Sequence, residues 1–262
     1  MYSSGQTYLQ YERDKIGTSF TQSILPIMKW NDIHAIAFDL DGTLVDSIAD
    51  LCAAANHMRA ELNLSPLPAA ELTTYVGDGL SSLVHRALSG SKDGQVDETS
   101  WTQGFTAFIA YYRTHLSVHT RPYPEVETAL ALFRARGLPL AVITNKNEIL
   151  AVELLCQLGL ADAFSLVVGG DTLAEKKPSP MPLLHTAEVL GVPIENLLMV
   201  GDSANDILAA KAAGALSCGV TWGYADMGQL AQNAQTKPDI IIDNLPQIDD
   251  GMRHHGDSDI RA

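Results

Sequence analysis

Positive charge is scarce in this sequence. Lys and Arg together number 17 against 31 Asp and Glu, a formal net charge of −14. A nucleic-acid backbone is gripped by clustered Lys and Arg; no such cluster is present, which argues against a nucleic-acid partner. Cysteine is scarce too. Cys52, Cys156 and Cys218 are scattered and none forms a CxxC pair, so a disulfide framework is ruled out and a reducing compartment fits. No apolar run approaches the ~20 residues of a membrane span, so no membrane partner is expected. The N-terminal MYSSGQTYLQYERDKIGTSF lacks the basic start and apolar core of a secretory signal. A cytoplasmic enzyme, monomeric or a small homo-oligomer, is the expectation.

What is present is apolar material. Hydrophobic residues make up 46 % of 262 positions, too many for disorder and enough for one large domain or two modest ones. Residues 1–30 show no clear periodicity and are read as an extension, and the stretch from Asp249 to Ala262 as a polar, frayed tail. Between them, short β-branched runs bounded by Gly, Pro, Asn or Asp read as strands: HAIAFDL (34–40), LPLAVITN (138–145), SLVVGGD (165–171), NLLMVGD (196–202), SCGVTWG (217–223) and PDIIID (238–243). Helical patterns separate the later ones, as in Val126, Leu130 and Phe133 before Gly137. Strand–helix alternation predicts a doubly wound parallel sheet, a Rossmann-like α/β core covered on both faces.

The alternation breaks once. From Ser47 to about Arg121 the pattern is purely helical, with stripes at Ile48, Leu51, Cys52, Ala55, Met58 and Leu62 and at Trp101, Phe105, Phe108, Ile109, Tyr112 and Leu116. One-sided helical spacing makes both stripes core rather than a ligand box. Asp46 or Ser47 offers the N-cap of the first helix, and Asp50 places charge in its first turn. The predicted organisation is therefore a core from 31–46 and 123–248 with an inserted all-helical cap domain at 47–122. The insertion is expected over the carboxyl ends of the strands, where open α/β sheets take ligands.

Chemistry concentrates at those strand ends. Asp39-Leu40-Asp41-Gly42-Thr43 puts two carboxylates two residues apart at the end of the first strand. One is able to hold a cation or attack an electrophile and the other to exchange a proton; Gly42 lets backbone amides approach an anion. A calcium loop is excluded because Gly42 follows Asp39 too closely. Thr144-Asn145 supplies a hydroxyl and an amide, Lys176-Lys177-Pro178 supplies positive charge, and Gly201-Asp202-Ser203-Ala204-Asn205-Asp206 supplies two acids one helical turn apart. Asp39, Asp41 and Asp202 make a hard oxygen set suited to Mg²⁺, and Thr144, Asn145 and Lys177 are donors for a phosphoryl group. The net acidity of the chain makes such local positive charge necessary for any anionic substrate.

The order DxDGT…TN…KP…GDSxxD resembles the haloacid dehalogenase superfamily of aspartate-nucleophile phosphotransferases, from about His34 to Ile248. Finer features, YVGDGLSSLVHRAL (75–88) and GGDTLAEKKPSPMPLL (169–184) among them, resemble its phosphoglycolate phosphatase branch. The resemblance implies Asp39 as nucleophile and Asp41 as acid and base. It implies Mg²⁺ on Asp39, Asp202 and the main-chain carbonyl of Asp41, with Asp206 nearby, and the phosphoryl group on Gly42 N–H, Thr144, Asn145 and Lys177. A small phosphate ester is the implied substrate, here 2-phosphoglycolate, whose carboxylate needs a donor from the cap; Arg86 and His85 are the candidates. Alternatives are a sugar-phosphate phosphatase and a β-phosphoglucomutase-like mutase. A phosphonate hydrolase would need a cap lysine where only Lys92 is available, a dehalogenase would have no use for Asp41, and a phospho-acceptor receiver would have no cap.

Overall fold

The computed structural model describes residues 30–256, so all but Trp30 of the expected extension lies outside the described residues. The strands are β1 (Ala35–Phe38), β2 (Val45–Asp46), β3 (Arg121–Pro122), β4 (Leu140–Ile143), β5 (Leu166–Val168), β6 (Leu197–Gly201), β7 (Leu216–Val220) and β8 (Ile240–Ile242). Six of them form one parallel sheet in the order β5-β4-β1-β6-β7-β8, one from each of the six runs read in the sequence. Strand order reverses beside β1, the position at which doubly wound sheets open a crevice at their carboxyl edge.

The helices are α1 (Ile48–Glu61), α2 (Ala69–Thr73), α3 (Leu80–Ser89), α4 (Glu98–Tyr112), α5 (Val126–Ala135), α6 (Glu148–Gln157), α7 (Met181–Leu190), α8 (Ala204–Ala213), α9 (Met227–Leu230) and α10 (Pro246–Gly256). The period-2 alternation of the strands sorts their side chains into two layers. Ile36, Phe38, Leu140, Val142, Leu198 and Val200 pack with α5, α6 and α10 on one face. Ala35, Ala37, Ala141 and Met199 pack with α7 and α8 on the other. Fully buried Phe38 stacks on Phe133 of α5 at 6.1 Å between ring centroids; truncation of either ring costs about 3–5 kcal/mol at such a site.

The insertion is helical, as expected, and α1 and α4 form its main contact. Its chain leaves and rejoins the core through a two-stranded antiparallel ribbon that pairs Val45 with Pro122 and Asp46 with Arg121. Asp50 does more than charge a helix terminus. Its buried carboxylate accepts from His119 N, from Thr120 N at 2.8 Å and from Thr120 Oγ1 at 2.7 Å, so it fastens α1 to the returning chain.

One expectation needs correction. The tail read from Asp249 is helical as far as Gly256, because Asp249 is buried against Arg136 of the core and Ile248 and Met252 join the apolar layer. After the lysines, α7 starts at Met181 with Pro180 as its N-cap.

Candidate active site

The carboxyl ends of β1, β4 and β6, with the loop after β5, bring the four sequence motifs to one place. Asp39 extends β1 with its N–H on Val200 O, and Thr144 extends β4 with its N–H on Val168 O. The sheet's own hydrogen-bond ladder thus aims both side chains at the edge. One carboxylate oxygen each from Asp39, Asp202 and Asp206 lies within 4.8 Å of the others. Lys177, buried beneath them, meets Asp39 Oδ1 at 2.9 Å and Asp206 Oδ1 at 2.6 Å and also donates to Ile143 O.

Three carboxylates against one ammonium leave an excess of two negative charges in a buried setting, which a divalent cation balances; hard carboxylate oxygens are the donors Mg²⁺ prefers. The electrostatics match. Burial, then Asp206 and Asp41, outweigh Lys177 and raise the Asp39 carboxyl to about 6. Burial, then Asp39 and Asp206, raise Asp202 to about 8. Gly42 permits this crowding, because at φ +90° a Cβ there would stand 2.5 Å from Asp202 Oδ2.

Asp41 belongs to a second ion pair. Both its oxygens accept from Lys146 Nζ at 3.1 Å, and Oδ1 also accepts from Ser47 Oγ. Lys146 Nζ places its third proton on Tyr112 Oη at 2.7 Å. Burial alone would lower the lysine's affinity for a proton, but Asp41 and Tyr112 hold it above the ordinary value, while burial raises the Tyr112 phenol to about 12. Sequence reasoning missed Lys146, Ser47 and Tyr224. A lysine directly after Thr144-Asn145 at a strand end was the available signal. Ser47 occupies the N-cap of α1 but gives its hydroxyl to Asp41 instead of the helix. Tyr224 N–H donates to Asp202 Oδ2 at 2.7 Å, and its hydroxyl accepts from Ser47 N at 2.8 Å.

The expected phosphoryl donors are placed unequally. Lys177 and Thr144 are at the edge, with the Thr144 hydroxyl accepting from Lys146 N. Gly42 N–H is committed to Val45 O at 2.9 Å. Asn145 lines the cavity, but its amide nitrogen donates to Gly77 O and Lys177 O, leaving Oδ1 buried without a partner.

The Gly77-Asp78-Gly79 loop of the insertion seats on the core. Asn205 Nδ2 donates to Asp78 Oδ1 at 2.7 Å, Lys176 Nζ to Asp78 O at 2.7 Å, and a Cβ at Gly79 would lie 2.7 Å from Asn145 O. Arg86, expected to receive the substrate's carboxylate, is engaged at this seat. Its guanidinium donates to Tyr75 O and to the Asp78 carboxylate, and it does not line the cavity. Burial works against the Asp78 charge, but Asn205, Arg86 and Lys176 hold its carboxyl below the usual range. His85 is likewise engaged, accepting from Val96 N and stacking on Trp101. Both side chains have partners within the insertion. The cavity between insertion and core is lined by Asp39, Asp41, Leu51, Leu80, Thr144 and Lys146 among others, and its open volume is about 30 Å³, room for one water.

An acidic centre at the mouth of a parallel sheet, roofed by a helical insertion, marks the capped α/β hydrolases. The chain belongs to the haloacid dehalogenase-like hydrolases, whose family model matches residues 36–220. A Neisseria meningitidis protein named phosphoglycolate phosphatase is 60 % identical over 84 % of this chain and 94 % of its own length. One of the same name from Chromobacterium violaceum is 50 % identical over 87 % of this chain and 100 % of its own. The crystal structure of a predicted phosphoglycolate phosphatase from Haemophilus somnus superposes with a TM-score of 0.77 at 33 % identity, covering 84 % of this chain and 97 % of that one.

Proposed function

We propose that the protein is a Mg²⁺-dependent phosphatase that hydrolyses 2-phosphoglycolate to glycolate and phosphate. The carrying observation is the pair of carboxylates two residues apart, Asp39 against Lys177 and Asp41 against Lys146, opening on one cavity. The shared name of relatives at 50–60 % identity over most of the chain supports the substrate.

In this reading an oxygen of Asp39 attacks phosphorus, and the ester P–O bond breaks as Asp41 gives a proton to the departing glycolate oxygen. Water then attacks the aspartyl phosphate, Asp41 takes its proton, and phosphate leaves with Asp39 restored. Asp39, Asp202 and the Asp41 main-chain carbonyl would hold Mg²⁺, with Asp206 fixing Lys177 beside them; the ion supplies the positive charge that lets one anion approach another. Lys177 and the Thr144 hydroxyl are the donors best placed for the phosphoryl oxygens. Residues 47–122 act as the cap over a core of 31–46 and 123–248, extended by α10. A space of about 30 Å³ admits no phosphate ester, so the cap opens for substrate and closes to exclude water.

The test is phosphate release over phosphoglycolate, glycerol phosphates and hexose phosphates, with and without EDTA. Phosphoglycolate should give the highest kcat/KM, and chelation should abolish turnover. Asp39→Asn should lower kcat by on the order of a thousandfold or more; near-normal activity in that variant would reject the nucleophile, and a hexose phosphate as best substrate would reject the specificity.

A further inference from the structure

Arg86 and His85 are spent within the insertion, which leaves open what receives the carboxylate of the substrate. The described cations near the cavity each have partners. Lys177 is held by Asp39, Asp206 and Ile143 O, at the position the phosphoryl group requires. Lys176 donates to Asp78 O outside the lining. Arg59 is turned away, donating to Ser65 O and Ala87 O. Lys146 alone among the described lining residues brings positive charge to the cavity wall.

Its present partners are informative. An ammonium has three protons, and those of Lys146 go to the two oxygens of Asp41 and to Tyr112 Oη. Its side chain is 1 % exposed, so the charge is not idle surface charge. Asp41 does not depend on it for placement, because Ser47 Oγ holds Asp41 Oδ1 independently.

We propose that Lys146 is the specificity-determining residue for the second anion of the substrate, and that Asp41 occupies its ammonium only until a carboxylate attached to the phosphate ester takes that place. Two oxygens of a carboxylate are exchanged for two oxygens of another, with Tyr112 Oη steering the third proton of Lys146 from the cap side. A neutral ester offers no replacement and leaves the lysine on Asp41. The substrate class is thereby a phosphate monoester bearing a carboxylate one carbon from the ester oxygen. The inference rests on the phosphatase reading above.

Steady-state kinetics with 2-phosphoglycolate and ethyl phosphate, which matches it without the carboxylate, test this in the wild-type enzyme, Lys146→Met and Tyr112→Phe. In Lys146→Met the ratio of kcat/KM for phosphoglycolate to that for ethyl phosphate should collapse by about 10- to 100-fold, the usual worth of a hydrogen bond to a charged group. It should recover in part in Lys146→Arg. Tyr112→Phe should lower the same ratio several-fold. A ratio unchanged in both variants, with kcat falling equally for both esters, would overturn the proposal and leave Lys146 as a support for Asp41. Should Lys146→Met fail to fold, as judged by its melting transition, the Tyr112→Phe ratio decides alone. Failure of the wild-type enzyme to turn over either ester would refute the phosphatase reading itself, a separate outcome.

Discussion

Asp202 carries the largest electrostatic strain in the molecule's acidic centre. Its carboxyl is raised to about 8 and that of Asp39 to about 6, from an ordinary 3.8, so without a cation the folded chain retains protons that the unfolded chain has lost. A group whose affinity for a proton is raised on folding withdraws stability as pH climbs from its unfolded toward its folded value. The metal-free protein should therefore melt at progressively lower temperature as pH rises from about 4 to about 8 through these two groups. A cation must displace those protons to bind. The increase in melting temperature on adding Mg²⁺ should then grow between pH values of about 6 and 8; a pH-independent increase in thermal scans would dissociate these carboxylates from the metal. Asp206 was expected beside the metal, and its oxygen does fall within the cluster. Its buried side chain also closes the capping box of α8 with Ser203 and holds Lys177, a dual use that a spacing of four residues does not reveal.

At the scale of elements, the sheet was readable because both its faces are covered. The central strands are short and apolar on both sides, and β1, β4 and β6 are followed at their carboxyl ends by Asp39, Thr144 and Asp202, where the chemistry lies. Lys177, by contrast, lies in the loop after β5 and was legible only through the order of the motifs. The contacts of the insertion were not readable, for a physical reason. Arg86 is neutralised by Asp78, across a loop and two helical turns, and Lys146 is buried by Tyr112 and Asp41, which are 34 and 105 residues away. Periodicity reports which face of a helix is buried and says nothing of which polar group on another element meets it. Asp50 is the sharpest case. Read as a helix-terminal charge, it is the fastening between α1 and the chain returning to β3. Asp50→Ala leaves the buried N–H of Thr120 and the partly buried N–H of His119 without their partner and should destabilise the protein by about 2–3 kcal/mol in urea unfolding; a loss under about 1 kcal/mol would mean that water reaches those groups.

At the scale of the whole molecule, insertion and core meet through the ribbon of β2 and β3, through the seat of the Gly77-Asp78-Gly79 loop, and through the hydrogen bonds of Lys146 to Tyr112 and of Ser117 to Gln157. The first contact is covalently continuous and the others are made of a few polar groups, so motion that admits a substrate should break those, the loop seat among them. Asn205→Ala removes the donor to Asp78 Oδ1 and Gly77 O without touching the acidic centre. Amide exchange at residues 77–83 should quicken several-fold while exchange in β1 and β6 stays as it was; equal acceleration in both regions would point to general loosening. The ribbon has a consequence of another kind. Because Asp46 and Arg121 sit opposite one another as paired neighbours, the core experiences everything between them as an excursion whose two ends already touch. The entropy of closing such an excursion rises only slowly with its length. Whole helices can therefore be gained or lost between those two residues with little effect on the folding of the sheet, which leaves the roof over the catalytic edge open to replacement while the edge stays fixed.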